Sequence, residues 1–287
     1  MEKKFIVTTD SASDSGRENL EEMQIDFISY NFTDGTNAYV DSMDREQNKW
    51  FYDQMRKGVV FKTSQLSVEE YKEFFLTKKD EHLPIIHVSL CEGLSNSVNN
   101  ARLAAIELKK KGLRVTIVDA TVGCLGIHMI AKEAARLRDE GVEYEEAIDY
   151  LNDKAKCVNT FFTTNDLTYF ARGGRLSKGA AFFSRILNIN VILTTDKVGH
   201  LTVSSKFRGR KKAFEQIVKN IKKLVINPEE QTLQIISAEN VTGMNELTRL
   251  IMLEIPFKDY EEHEMGPTIG AHAGPGLISV FFFGKEK

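Results

Sequence analysis

The stretch Gly266-Pro267-Thr268-Ile269-Gly270-Ala271-His272-Ala273-Gly274-Pro275-Gly276 concentrates the chain's capacity for chemistry. Its eleven residues hold four glycines, two of the chain's five prolines and one titratable side chain, His272. Glycine lets another group approach the backbone closely, and proline fixes its own φ, so the segment reads as a shaped loop that holds an imidazole in place. The apolar run Leu277-Ile278-Ser279-Val280-Phe281-Phe282-Phe283 follows directly and reads as a buried strand. A histidine on a rigid loop beside a buried strand suits a polar head group set against a hydrophobic wall. The same residues also suit a plain tight turn.

A second constellation is Arg172-Gly173-Gly174-Arg175, where two glycines hold two guanidiniums near one another. Guanidinium forks match carboxylate or phosphate oxygens. Polar segments sit where helices should begin: Asp10-Ser11-Ala12-Ser13-Asp14, Thr63-Ser64-Gln65-Leu66-Ser67, Gly93-Leu94-Ser95-Asn96-Ser97 and Asp119-Ala120-Thr121. Helix N-termini carry free N–H groups and suit anions, although each of these segments also serves as an ordinary cap. Ser67 with Glu70 has capping-box spacing. The chain contains no phosphate-loop, dinucleotide, zinc or nucleophile-elbow motif. Glu261-Glu262-His263-Glu264 has metal-ligating residue types but reads as a solvated loop or edge, and no metal is expected. Cys91, Cys124 and Cys157 are odd in number and far apart, so each reads as a small apolar residue and not part of a disulfide framework. The histidines at 82, 87, 128 and 200 have no evident partners.

These residues must be positioned by elements. Phe5–Thr9, Ile25–Tyr30, Pro84–Ser89 and Arg114–Asp119 read as strands. Helical patterns at Val98–Lys111 and Ile127–Glu140 end at Gly112 and Gly141. This alternation implies βαβ units and a parallel sheet, with ligands bound beyond the carboxyl ends of its strands. The second half reads as strands at Thr160–Thr164, Val191–Thr195, Leu233–Ser237 and the final Phe-rich run. His200–Ser204 forms a hairpin partner after the Asp196–Gly199 turn, and helices cover Arg208–Val225 and Val241–Leu253. The expected architecture is α/β in two lobes, 1–160 with a parallel sheet and 161–287 with a mixed sheet. They should be closely packed, with a cleft between them as the natural ligand site.

At 287 residues and 42% hydrophobic content the chain has the makings of a soluble globular protein. It has no apolar run near the roughly 18 residues of a membrane span, and Asp10 comes too early for a signal peptide, so a cytoplasmic location is expected. The net charge of −3 hides thirteen Lys/Arg against two acidic residues between Arg172 and Lys223. Such a stretch points to an anionic partner. Nucleic acid is the weaker choice, because apolar core runs such as Phe182-Phe183 and Ile189–Leu193 interrupt the charge.

With these motifs in order, the chain resembles the DegV family of bacterial lipid-binding proteins nearly end to end. The Asp10–Asp14, Thr63–Ser67, Gly93–Ser97, Arg172–Arg175 and Gly270–Gly276 segments resemble its successive signatures. Leu66 stands where proline is usual, Asn96-Ser97 replaces Gly-Thr, and Cys91-Glu92 stands where two serines are usual. Glu92 is therefore expected to point away from any carboxylate. The resemblance implies a fatty acid buried between or within the lobes, its carboxylate held near Thr63, Ser64, Gly93, Ser95 and His272. Arg172 and Arg175 are implied in phosphate handling and partner contact. It further implies a carrier, not an enzyme, with no cofactor. The carrier would present a long-chain fatty acid to a separate ATP-dependent fatty acid kinase and keep the acyl phosphate for phospholipid synthesis, a role in which transient contact with a membrane surface fits. Protonated His272 and Arg172 are expected to stabilise the added charge. The alternative is a small-molecule phosphoryl- or acyl-transfer enzyme using His272 and Arg172.

Overall fold

The structure, a computed structural model, describes residues 2–79, 82–176 and 189–287. Phe182-Phe183, and Lys178 and Arg185 of the basic stretch, lie outside the described residues.

The first lobe is built on β1 (Ile6–Asp10), whose five residues are all buried. It pairs in parallel with β2 (Asp26–Ile28) and β6 (Ile85–Ser89), and β6 pairs with β7 (Val115–Asp119), giving the order β2-β1-β6-β7. Full burial of β1 and β6 is what a parallel sheet covered on both faces demands. Its helices are α1 (Arg17–Glu22), α2 (Arg45–Arg56), α3 (Val68–Leu76), α4 (Ser97–Lys109), α5 (Leu125–Asp139) and α6 (Tyr144–Lys156). Ser67 and Glu70 form the expected reciprocal capping box at α3. The strand expected over Ile25–Tyr30 stops at Ile28. The chain then enters a small antiparallel sheet of β3 (Asn31–Thr33), β4 (Ala38–Val40) and β5 (Lys62–Ser64), order β4-β3-β5. Thr63 and Ser64 therefore sit on a strand, not on a helix cap.

The second lobe carries a mixed sheet in the order β10-β9-β8-β13-β11-β12. Its strands are β8 (Val158–Thr164), β9 (Ile189–Thr195), β10 (Leu201–Arg208), β11 (Thr232–Ser237), β12 (Asp259–Glu264) and β13 (Ile278–Phe283). Only the β11–β12 pairing in it is parallel. The helices are α7 (Thr168–Arg172), α8 (Arg210–Leu224), α9 (Val241–Glu254) and α10 (Pro267–Ala273). α10 corrects the sequence reading: the Gly/Pro segment is a short helix, not a loop. Pro267 occupies its first turn, where a missing N–H costs nothing, and Gly274 ends it at φ 74°.

Period-two alternation sorts the mixed sheet's side chains. Phe161, Ile278, Val280 and Phe282 pack with α8 and α9 residues such as Phe214, Ile217 and Leu247. Phe162 and Phe281 face the other way, into a core shared with Leu90, Val122, Leu125 and Ala271. That one core spans both lobes. The basic stretch is divided: Arg210 and Lys222 pair with Glu246 and Glu254, while Arg208, Lys211 and Lys212 are exposed.

Candidate functional site

A cavity lies between the lobes. Its walls come from Tyr30, Thr63, Ser64 and Ser95 on one side and Phe162, Phe170, Arg175, His272 and Phe281 on the other, with Leu90, Leu94 and Ile269 between them. The space between these walls, its open mouth included, amounts to about 810 Å³. It forms a slot between the lobes.

Each polar group is placed by a local device. Thr63 is the middle residue of β5, and its Oγ1 lies 2.7 Å from His272 Nε2. Ser64, exposed at the end of the strand, lies at the rim. Ser95 sits in the loop after β6, where its Oγ donates to Ser97 Oγ at 3.0 Å. That loop is tied down by Asp10, whose carboxylate accepts from the Leu90 N–H at 2.9 Å and the Ser89 hydroxyl at 3.3 Å. Burial raises the Asp10 carboxyl to about 7 against the pull of these bonds. Two further buried carboxylates of the first lobe hold the start of α10. Asp14 accepts from the Gly266 N–H at 2.8 Å, and Asp41 accepts from the Thr268 N–H at 3.2 Å and from its hydroxyl. Carboxylates at a helix N-terminus meet its unpaired donors and its positive dipole end.

The Arg-Gly-Gly-Arg turn acquires a mechanical meaning. A Cβ on Gly173 would come within 2.2 Å of His272 Nδ1, so only glycine lets the end of α7 lie against the imidazole. Gly274 is restricted twice: its φ is 74°, and a Cβ there would meet the Tyr169 ring at 2.2 Å. Arg175 turns inward, with Nη1 donating to the Gly173 carbonyl at 2.6 Å and Nε to the Leu94 carbonyl at 3.2 Å. Burial pulls its pKa down.

His272 is not a cation. Burial, and secondarily the Arg175 charge, lower its pKa to about 4, so it is neutral at pH 7. This corrects the expectation of a protonated His272. Its Nδ1 is buried without a hydrogen-bond partner.

Thr63, Ser64, Ser95, Arg175 and His272 thus line one cavity. Gly93 and Arg172 do not. Gly93 N–H donates to the Val198 carbonyl at 3.0 Å and ties the loop to the β9–β10 turn. Arg172 is exposed, its guanidinium 5.5 Å from the centre of the Tyr169 ring, so His272 and Arg172 do not share a pocket as the enzyme alternative requires. Glu92 points away as expected, its side chain more than half exposed and bonded to Arg102 at 3.3 Å. Cys91 beside it is buried. Sequence reasoning missed Tyr30, whose buried Oη has no partner. It also missed the hydroxyl pair Thr160 and Ser279, 3.1 Å apart on the cavity face of β8 and β13. The strand alternation at 160/162 and 279/281 carried that signal, but the buried face could not be chosen from one strand alone.

A family model described as "Uncharacterised protein, DegV family" matches residues 4–285. The chain belongs to the DegV family. A DegV domain-containing protein of Clostridium perfringens is 30% identical, over 99% of each chain. A Thermotoga maritima protein described as a fatty acid-binding protein is 31% identical over 99% of this chain and 98% of that one. Among solved structures, a DegV lipid binding protein from Thermotoga maritima superimposes with a TM-score of 0.86 at 28% identity, over 99% of both chains. A second Thermotoga maritima structure, described as revealing fatty acid binding function, gives the same score and identity over 99% of this chain and all of that one. The two-lobed α/β architecture is therefore the fold of DegV proteins, and three of these relatives are described by lipid or fatty acid binding. Among the described residues no helix is long and apolar enough to cross a membrane.

Proposed function

We propose that this DegV protein binds a long-chain fatty acid in the slot between its lobes. It would present the carboxylate to a separate ATP-dependent kinase and keep the acyl phosphate bound for phospholipid synthesis in the cytoplasm. The observation that carries this reading is the slot itself: hydroxyls, an imidazole and a guanidinium from both lobes at a passage otherwise walled by Phe162, Phe170, Phe281, Leu90, Leu94 and Ile269. A tail of roughly fifteen methylenes buried at ~0.8 kcal/mol each contributes about 12 kcal/mol before association costs. The carboxylate needs hydrogen bonds to be buried at all. In this reading neutral His272 donates Nε2–H to Thr63 Oγ1, which frees the threonine hydrogen for the carboxylate. Ser95 supplies a second hydroxyl and Arg175 the counter-charge. Exposed Ser64 and Arg172 leave the head-group end open to a partner protein. The chain acts as a carrier without a catalytic centre of its own.

Mass spectrometry of small molecules released from the denatured protein, purified from bacteria, tests the core of this reading. A long-chain fatty acid at near-stoichiometric yield is expected. No fatty acid in the extract, and no uptake on incubation with one, would sink it. The kinase step has its own readout. ATP alone should give no hydroxylamine-trappable acyl phosphate from the loaded protein, whereas ATP with a bacterial extract should. Trapped product from the isolated chain would favour an enzyme instead.

The pH dependence follows from His272. Its pKa near 4 places the neutral-to-cation change well below pH 6, so no imidazolium is lost as pH rises from 6 to 8. The ratio of fatty-acid affinities between wild type and His272→Gln is expected to stay constant over that range. A ratio that falls as pH rises through 6.5 would mean the ring binds as a cation.

A further inference from the structure

Outside the residues that line the slot, three side chains meet that no part of the fatty-acid reading uses. His128 projects from α5, and Glu261 and His263 lie two residues apart on β12, hence on one face of the edge strand. Their ligating atoms all lie within 4.8 Å of one another. Glu261 Oε2 is 4.0 Å from His128 Nε2 and 4.0 Å from His263 Nε2, and the two rings are 5.3 Å apart between centres.

We propose that His128, Glu261 and His263 form a binding site for a zinc-class divalent metal ion. Two imidazole nitrogens and one carboxylate oxygen make a donor set that such ions favour, with the fourth position open to water. Ligand atoms around tetrahedral zinc are about 3.3 Å apart, so the 4.0 Å gaps to Glu261, within a set spanning at most 4.8 Å, must close by an inward movement of side chains.

The surroundings are those of a metal site. His128 is 2% exposed, and its Nε2 is buried without a partner. Its Nδ1 is 3.0 Å from Ser15 Oγ, which itself donates to Ser13 Oγ at 2.9 Å. With its hydrogen committed to Ser13, Ser15 accepts from Nδ1–H, and that tautomer leaves a lone pair on Nε2 aimed at the cluster. Such fixing of a ligand histidine by the hydrogen bond at its other nitrogen is general in metal sites. Lys132 Nζ donates to Glu261 Oε1 at 2.8 Å, so Oε2 is the oxygen that faces both imidazoles. Gln234 bridges the cluster, donating to Glu261 Oε2 at 2.8 Å and accepting from His263 Nε2 at 3.0 Å. It must turn aside when the ion enters, and its carbonyl then suits a metal-bound water. His263 borders an open cleft lined also by the exposed Glu262 and Glu264, whose negative charge draws cations toward it.

Equilibrium dialysis of the full chain against zinc chloride, with competition by a chromophoric chelator, tests this. Wild type should hold one equivalent that His263→Ala lacks, and Ser15→Ala should weaken it by about tenfold, the usual size of a loss at that shell. Cobalt substitution should give the intense visible bands of tetrahedral N/O ligation. If His263→Ala proves unstable without metal, Glu261→Gln on the exposed edge replaces it. Equal zinc uptake by wild type and by both variants would overturn the site, and so would no uptake at all. Fatty-acid content serves as the independent control, since these variants leave the slot's residues untouched.

Discussion

His272→Ala is expected to weaken fatty-acid binding by about tenfold, because Thr63 loses the neutral hydrogen bond that orients its hydroxyl toward the carboxylate. Thr63→Ala should do the same. The informative result is the double variant, which should bind about as well as either single one. The 2.7 Å contact between Thr63 Oγ1 and His272 Nε2 makes the two residues one device, and partners in one hydrogen-bond network do not add. Fluorescent fatty-acid displacement on the three variants measures the coupling. Fully additive losses would mean that each residue contacts the carboxylate separately, and the relay through Thr63 would be wrong.

Gly173→Ala is expected to be at least as damaging as removing the imidazole. A methyl group 2.2 Å from His272 Nδ1 cannot be accommodated without moving either the ring or the end of α7. A displaced ring both releases Thr63 and intrudes on the slot. Losses of one ångström in placement are costly wherever binding groups act together. Affinity should fall at least about tenfold, as for a lost charge-assisted bond, while the circular dichroism spectrum stays unchanged. His272→Ala placed on top of Gly173→Ala should recover part of the loss, because the clash is removed with the ring. No recovery in the double variant would show that Gly173 serves the backbone turn and not the imidazole.

Much of this site was legible in the sequence because its polar residues sit in short, compositionally odd segments. The parallel strands were legible for a related reason: Ile6–Asp10 and Ile85–Ser89 each open on an apolar pair and end in a polar residue ahead of a helical pattern. Three things escaped. β3, β4 and β5 are three residues each, too short to show a period, so Thr63 was placed near a cap instead of on a strand. α10 hid behind its glycines and prolines, because the tertiary clamp from Asp14 and Asp41 overrides poor helix propensity. The His128–His263 approach spans more than a hundred residues and exists only because the β12 edge lies over α5. No local pattern encodes that. That Arg175 and not Arg172 lines the slot escaped for a similar reason: two guanidiniums on one turn look alike until the turn's direction is known.

The anchoring of α10 by Asp14 and Asp41 also bears on the order in which the molecule can be completed. Those carboxylates wait more than two hundred residues for the N–H groups of Gly266 and Thr268. β13, which sits between β8 and β11 in the middle of the mixed sheet, is made later still. Contacts so distant along the chain form slowly, and during vectorial synthesis they cannot form at all until the last segment has emerged. The nascent first lobe therefore carries two acids without the α10 donors they anchor and half of a greasy passage open to solvent. Ligand capture belongs to the finished chain, and a ribosome-bound fragment ending before residue 266 is a client for chaperones, not a smaller carrier.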